Sequence, residues 1–219
     1  MRKMVFLATL AAVALAGPAS ARLVTFDLIK GTGEEPIPTG WASFDWSANF
    51  DWLNSSAEGD TGYQYGTVSP PNVAYNAYGA NVSFRRNTPF ELVSFDLTGA
   101  WNNGLEVTVT GFRKGVQVDS TTFTVNSTGP TLETLNWDVN RVTFVSFGGT
   151  PAGYPNGSGE QFVLDNLTTM PITQPSTDFN SFSAVPEAST WALMLVGFAG
   201  LGCAGFRKAR GERLALDVA

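Results

Sequence analysis

Histidine is absent from the 219 residues, and cysteine occurs once, as Cys203. Without an imidazole, the Ser-His-Asp and Cys-His nucleophilic schemes have no base, and the usual nitrogen ligand for zinc, iron or copper is missing. A lone cysteine closes no intrachain disulfide, so any fold here must rest on its apolar core; a domain of roughly 160 residues can bury enough surface to do so. Charge is also sparse, at 15% of residues. Positive charge is scarcest in the middle of the chain, where residues 22–184 hold seven Lys and Arg against sixteen Asp and Glu. Nucleic acid requires clustered Lys and Arg on the binding face, so it is not expected as a partner. No window before residue 185 carries a helical apolar stripe apart from the first twenty or so residues.

Those first residues, MRKMVFLATLAAVALAGPASA, have the three parts of a secretory signal peptide. Arg2 and Lys3 supply the positive start, Val5 to Ala16 the apolar run, and Ala19-Ser20-Ala21 the small-residue cleavage site. Cleavage after Ala21 is expected, following export by the Sec machinery, so residues 1–21 are set aside from the fold.

What remains reads as β. Leu23–Ile29, Trp41–Trp46, Asn81–Phe84, Phe90–Leu97, Leu105–Phe112, Val116–Val125, Arg141–Phe147 and Gln161–Thr169 alternate apolar with polar residues and are rich in β-branched and aromatic side chains. Arg113-Lys114-Gly115 between two such runs predicts a hairpin turn. The apolar phase slips inside VQVDSTTFTV, which predicts a bulge near Asp119 to Thr121. Residues 47–80, rich in Gly, Asn, Ser and Tyr, predict long ordered loops with one strand pair, the segment best suited to a binding surface. The expected fold is all-β, an antiparallel β-sandwich or jelly roll over residues 22–169. Residues 170–184 read as a Pro/Ser/Thr-rich linker.

Beyond the linker, Trp191 to Phe206 is free of charge and is followed by Arg207, Lys208 and Arg210. A transmembrane helix over residues 190–206 is expected, with the basic flank on the cytoplasmic side and residues 211–219 as a cytoplasmic tail. Pro186 disfavours helix at Val185 and would keep the preceding segment extended outside the bilayer. The order of features is specific: Val185-Pro186-Glu187, then Ser189-Thr190-Trp191-Ala192-Leu193-Met194-Leu195, then Gly197-Phe198-Ala199-Gly200-Leu201-Gly202, then Arg207-Lys208-Ala209-Arg210. Residues 185–210 resemble the PEP-CTERM sorting signal of Gram-negative bacteria, with Ala188 where the usual motif has a second proline. That resemblance implies an exosortase as partner and processing near Pro186-Glu187. The domain would be periplasmic and anchored to the inner membrane through its C-terminal helix before processing. It would then lie at the cell surface or in the extracellular polysaccharide matrix.

Ser94-Phe95-Asp96-Leu97-Thr98, Val107-Thr108-Val109-Thr110-Gly111 and Gln161-Phe162-Val163-Leu164-Asp165-Asn166-Leu167 resemble, at the level of fold, carbohydrate-binding jelly rolls. Of the aromatics in or near loops (Trp52, Tyr63, Tyr65, Tyr75, Tyr78 and Trp101), four are the candidate sugar contacts: Trp52, Tyr65, Tyr78 and Trp101. Indole and phenol faces stack on sugar C–H faces, although large aromatics equally serve as core or loop anchors. Asp27 and Asp165 would approach if the terminal strands pair, and their oxygens would suit Ca²⁺. The competing reading is turn and strand-end hydrogen bonding. Glu34-Glu35 and the Asp45/Asp51 pair could be assembled into a glycosidase couple only if their separation were right. No cofactor other than calcium is implied. The expectation is a non-catalytic exported surface protein, with a carbohydrate- or calcium-binding module as the alternative and a secreted hydrolase as the third reading.

Overall fold

The computed structural model describes residues 20–31, 33–155 and 157–172. The sorting motif Val185, Pro186 and Glu187, the helix over residues 190–206, the basic residues Arg207, Lys208 and Arg210, and Ala19 of the cleavage site lie outside the described residues. Ala21 is described and exposed. No helix among the described residues is long and apolar enough to cross a membrane.

The described residues form an all-β fold of mostly antiparallel sheet. In order, the strands are β1 (Arg22–Val24), β2 (Glu35–Pro36), β3 (Asp45–Trp46), β4 (Phe50–Asn54), β5 (Asn72–Asn76), β6 (Val82–Gly99), β7 (Asn102–Asn103), β8 (Leu105–Arg113), β9 (Val116–Val125), β10 (Thr131–Phe147), β11 (Thr150–Pro151) and β12 (Phe162–Pro171). One sheet runs β2-β4-β5-β12-β6-β10-β8-β9, with β1 added beside β12 and β3 beside β6; β7 and β11 form a small pair. One turn of α-helix, α1 (Gly62–Tyr65), lies between β4 and β5.

The sheet is strongly curled. β4 and β10 are four strand positions apart in the hydrogen-bonded order, which in a flat sheet would separate them by about 19 Å. Yet the rings of Phe50 on β4 and Phe144 on β10 have centroids 6.0 Å apart. The inner face therefore closes on itself around an aromatic core, in which Phe144 also meets Phe84, Phe95 and Phe162. The contacts of Phe144 with Phe50 and Phe95 are edge-to-face, the arrangement the ring quadrupole favours, and those with Phe84 and Phe162 are tilted. Strand parity does the sorting. Phe50 and Trp52 on β4, Ala74 on β5 and Phe162 and Leu164 on β12 join this inner core. Their neighbours Leu53, Val73, Tyr75 and Val163 join a second, smaller cluster on the outer face.

Several local expectations are met and several corrected. Lys114 and Gly115 both have positive φ, 52° and 81°, as a two-residue hairpin turn between right-twisted strands requires. The β8–β9 register does slip, but opposite Gly111/Phe112, which leaves Val118 as the extra residue, just before the expected position. Residues 47–80 do contain one strand pair, β4 with β5. Leu23–Ile29 is not one strand: β1 ends at Val24 and the chain turns, with Ile29 N–H donating to the Phe26 carbonyl. Trp41–Ser43 is a short 3-10 turn rather than a strand. The runs expected at 81–84 and 90–97 are one long strand, β6, with residues 86–89 looping out between its registers on β10. Arg86 seals that excursion by laying its guanidinium over Phe90, 4.5 Å from the ring centre.

Phe144→Ala, which empties the point where four strands' rings converge, should cost about 3–5 kcal/mol. Val116→Thr, on an exposed position of β9, should change stability by no more than about 0.5 kcal/mol. Urea denaturation of both variants checks the pair.

Candidate functional site

The outer face of the curled sheet carries a pocket of about 160 Å³ lined by Glu34, Asp51, Tyr63, Tyr75, Ala77, Tyr78, Trp101 and Gln161. Its floor follows from register. Asp51 on β4 lies opposite Tyr75 on β5, and Tyr75 lies opposite Val163 on β12, so alternation points all three to the same side. Glu34 comes from the residue before β2 and accepts a hydrogen bond from the Tyr75 hydroxyl at 3.1 Å.

The aromatic walls are held from elsewhere. Tyr63 is delivered by α1, whose Gly62 N–H donates to the Ala100 carbonyl at 3.0 Å. A Cβ at position 62 would overlap the Gly99 carbonyl oxygen, so only glycine allows that helix to sit so close to the sheet. Tyr63 makes edge-to-face contacts with Tyr75 and Trp101, centroids 5.3 and 5.5 Å away. Trp101 follows the end of β6 and is only 9% exposed. Gly157 lies close against its indole ring, where any Cβ would collide with it.

Tyr78 is built differently. It is 91% exposed, and it holds φ at 60°, a left-handed conformation uncommon for an aromatic residue. Asn76, fully buried, maintains the turn: its amide donates to the Ala80 carbonyl and to Ser146 Oγ, while its oxygen accepts from Phe162 N–H at 2.7 Å. Exposed apolar surface held at a conformational cost indicates use rather than packing. Tyr78 and Gln161 also border a second, open cleft of about 670 Å³ lined by Gly79, Asn102, Gly148, Gly149, Ser158, Gly159 and Glu160. Pocket and cleft therefore share a rim.

The electrostatics are one-sided. The ion pairs among the described residues, Arg85 with Asp45 and Arg113 with Asp138, lie elsewhere. No Lys or Arg lines the pocket. Burial first, and then the charge of Glu34, push the Asp51 carboxyl above the ordinary carboxylate range. Glu58, on the 3-10 turn Ser55–Glu58, is raised by the same two causes. The Tyr75 and Tyr63 hydroxyls are raised well above the usual phenol value, mainly by burial and then by Glu34. Asp51 Oδ1 and Gln161 Oε1 are buried without a hydrogen-bond partner.

The residues singled out from the sequence divide. Tyr78 and Trp101 meet in the pocket. Trp52 does not: one residue along from Asp51, it points inward, is 2% exposed and belongs to the aromatic core. Tyr65 is exposed on α1, where its hydroxyl reaches Asp60 at 3.5 Å, away from the pocket lining. Asp45 pairs with Arg85 rather than with Asp51, so the carboxylates that do share a pocket are Glu34 and Asp51. The terminal strands do pair, β1 with β12, but Asp27 and Asp165 serve the loop at 68–72. Asp165 accepts from Val68 N–H, Ser69 N–H, Ser69 Oγ–H and Asn166 N–H, and Asp27 accepts from Asn72 N–H. Asp165, with four donors on its two oxygens, is a loop anchor, and Asp27 holds the same loop through one donor; no group of three or more potential metal ligands occurs among the described residues. From the sequence, Tyr63 and Tyr75 read only as loop aromatics and Gln161 only as the start of a strand; what brings them together is cross-strand register and the packing of α1, which the sequence alone does not supply.

Buried carboxylates set the pH response. Asp51, Glu58, Asp96, Glu133 and Asp165 are all raised, with burial the largest cause in each case. A carboxyl whose value is higher folded than unfolded binds more protons in the folded state, so its contribution favours folding at low pH and is lost as pH rises through the shifted value. The urea midpoint should accordingly be higher at about pH 5 than at about pH 8, and Glu34→Gln should narrow that difference. Asp165→Asn should nonetheless lower stability by about 1–3 kcal/mol, because an amide N–H₂ replaces an acceptor facing backbone donors.

Neither a family model nor a curated protein sequence matches the chain. Among solved structures, it is similar to the crystal structure of a DUF4465 family protein from Bacteroides ovatus, with 10% sequence identity and a TM-score of 0.37, covering 72% of this chain and 96% of that one. A likeness at that level carries no functional argument.

Proposed function

We propose that this chain is an exported, non-catalytic β-sandwich of jelly-roll type that binds carbohydrate through the outer-face pocket and the cleft beside it. The observation that supports this is the joining of a buried indole and two buried phenols, Trp101, Tyr63 and Tyr75, to an exposed phenol, Tyr78, around unpartnered oxygen acceptors. Sugar rings offer C–H faces to aromatic walls and hydroxyl donors to carboxylates, and this lining provides for both. The N-terminal export signal and the PEP-CTERM-like tail supply the address in this reading. The domain would be held at the inner membrane, then released to the cell surface or the extracellular matrix.

One observation favours a second reading. Glu34 and Asp51 share a pocket, and Asp51 is raised, as the acid of a glycoside hydrolase must be. The size of the pocket, well under the ~300–1,000 Å³ of most small-molecule sites, favours gripping one ring over enclosing a scissile linkage.

Calorimetric titration of the full chain against a panel of soluble oligosaccharides tests the proposal. Binding is expected, weakened about tenfold or more by Tyr78→Ala, without release of new reducing ends. Reducing-end release abolished by Asp51→Asn would replace it with the hydrolase reading, and no binding to any saccharide would overturn it. Mass spectrometry of the mature protein from its host checks the address: the C-terminus is expected within a few residues of Glu187, and an intact tail would remove the sorting step.

A further inference from the structure

We infer that the pocket selects a glycan bearing a free, protonated amino group, the chemistry of an amino sugar without its acetyl group. This rests on the carbohydrate reading above and specifies its ligand class.

The lining carries two carboxylates, Glu34 and Asp51, with Glu58 close enough to be raised by Glu34. Among the described residues no basic side chain lines the pocket, and their ion pairs are elsewhere. Two further facts point to a missing donor rather than a merely solvated acidic patch. Asp51 Oδ1 and Gln161 Oε1 are both buried without a partner, a costly state that a ligand N–H or O–H would relieve. The Tyr75 hydroxyl, which could have served a ligand acceptor, already donates to Glu34. Four aromatic residues are among the lining, with Tyr78 exposed at its rim, and an aromatic ring face attracts a cation but gains little from a neutral hydroxyl. An ammonium offers three donors, no acceptor and the compensating charge. A uronate or sulfate would be repelled, and an N-acetyl group would bring a carbonyl acceptor to oxygens that already lack donors.

Size and position agree. About 160 Å³ holds a single ring or head group. The rest of a chain leaves past Tyr78 and Gln161, the residues shared with the open cleft.

The test titrates the full chain with a β-1,4-glucosamine oligomer, the N-acetylated oligomer of the same length, a neutral glucose oligomer and tetramethylammonium chloride, followed by calorimetry and tryptophan fluorescence. The amine oligomer is expected to bind about tenfold or more tighter than the acetylated one. That gap should shrink at high salt and in Glu34→Gln and Asp51→Asn, and the salt series on the unmodified chain keeps the test valid should either variant misfold. Equal binding of the acetylated or neutral oligomer would overturn the inference and leave the carbohydrate reading standing. Binding of tetramethylammonium but of no oligomer would keep a cation pocket and remove the carbohydrate. Silence from all four probes would remove both.

Discussion

The contact between Phe50 and Phe144 is the constraint on which the rest depends. Strands four positions apart can bring their rings within 6.0 Å only if the sheet folds over. Once it does, the inner positions are filled mainly by apolar side chains, while the outer face carries a smaller apolar cluster and leaves room for polar groups. The inner face is accordingly filled by Phe44, Phe84, Phe90, Phe95 and Phe162 around that contact. Burial of such rings supplies the apolar area a disulfide-free domain requires.

The outer face inherits its geometry from the same closure. Strand pairing places β4, β5, β12 and the end of β6 side by side, and α1 packs on the end of β6 through Gly62. A pocket forms where that helix, the turn carrying Tyr78 and the segment after β6 converge. Because the floor is a sheet and the walls are held by buried groups such as Asn76, the aromatic rings are positioned before any ligand arrives. The polar residues follow a division of labour. Asp165 has both oxygens filled by backbone and hydroxyl donors and holds a loop, which Asp27 supports through the Asn72 N–H. Asp51 keeps an oxygen buried and empty-handed, which stability alone would not retain.

Much of the fold could be read in advance where one strand face meets solvent. Leu105–Arg113 alternates cleanly because β8 carries Val107 and Val109 into the core while Thr108 and Thr110 pair with Thr122 and Ser120 on the open side. Prediction weakened where both faces are buried. β4, FDWLN, has apolar residues pointing both ways, so alternation could not say whether Asp51 or Trp52 faced outward. Trp52, one of the four candidate sugar contacts, is the one in the core. Long strands were underestimated for a related reason: in β6 the excursion at residues 86–89 interrupts the pattern without ending the pairing.

The sequence by itself determined the β character, the hairpin turn at Lys114-Gly115 and the chemistry that is ruled out by the lack of histidine, because each of these is a property of neighbouring residues or of composition. The tertiary structure alone decided which carboxylates meet. Glu34, Asp51, Tyr75, Trp101 and Gln161 are brought together by strand register and by the curl of the sheet, and both are set by contacts between segments far apart along the chain. A shift of one residue in β4 would exchange Asp51 for Trp52 and remove one of the pocket's two carboxylates, which is why its acidic and aromatic character could be established only once the pairing was known.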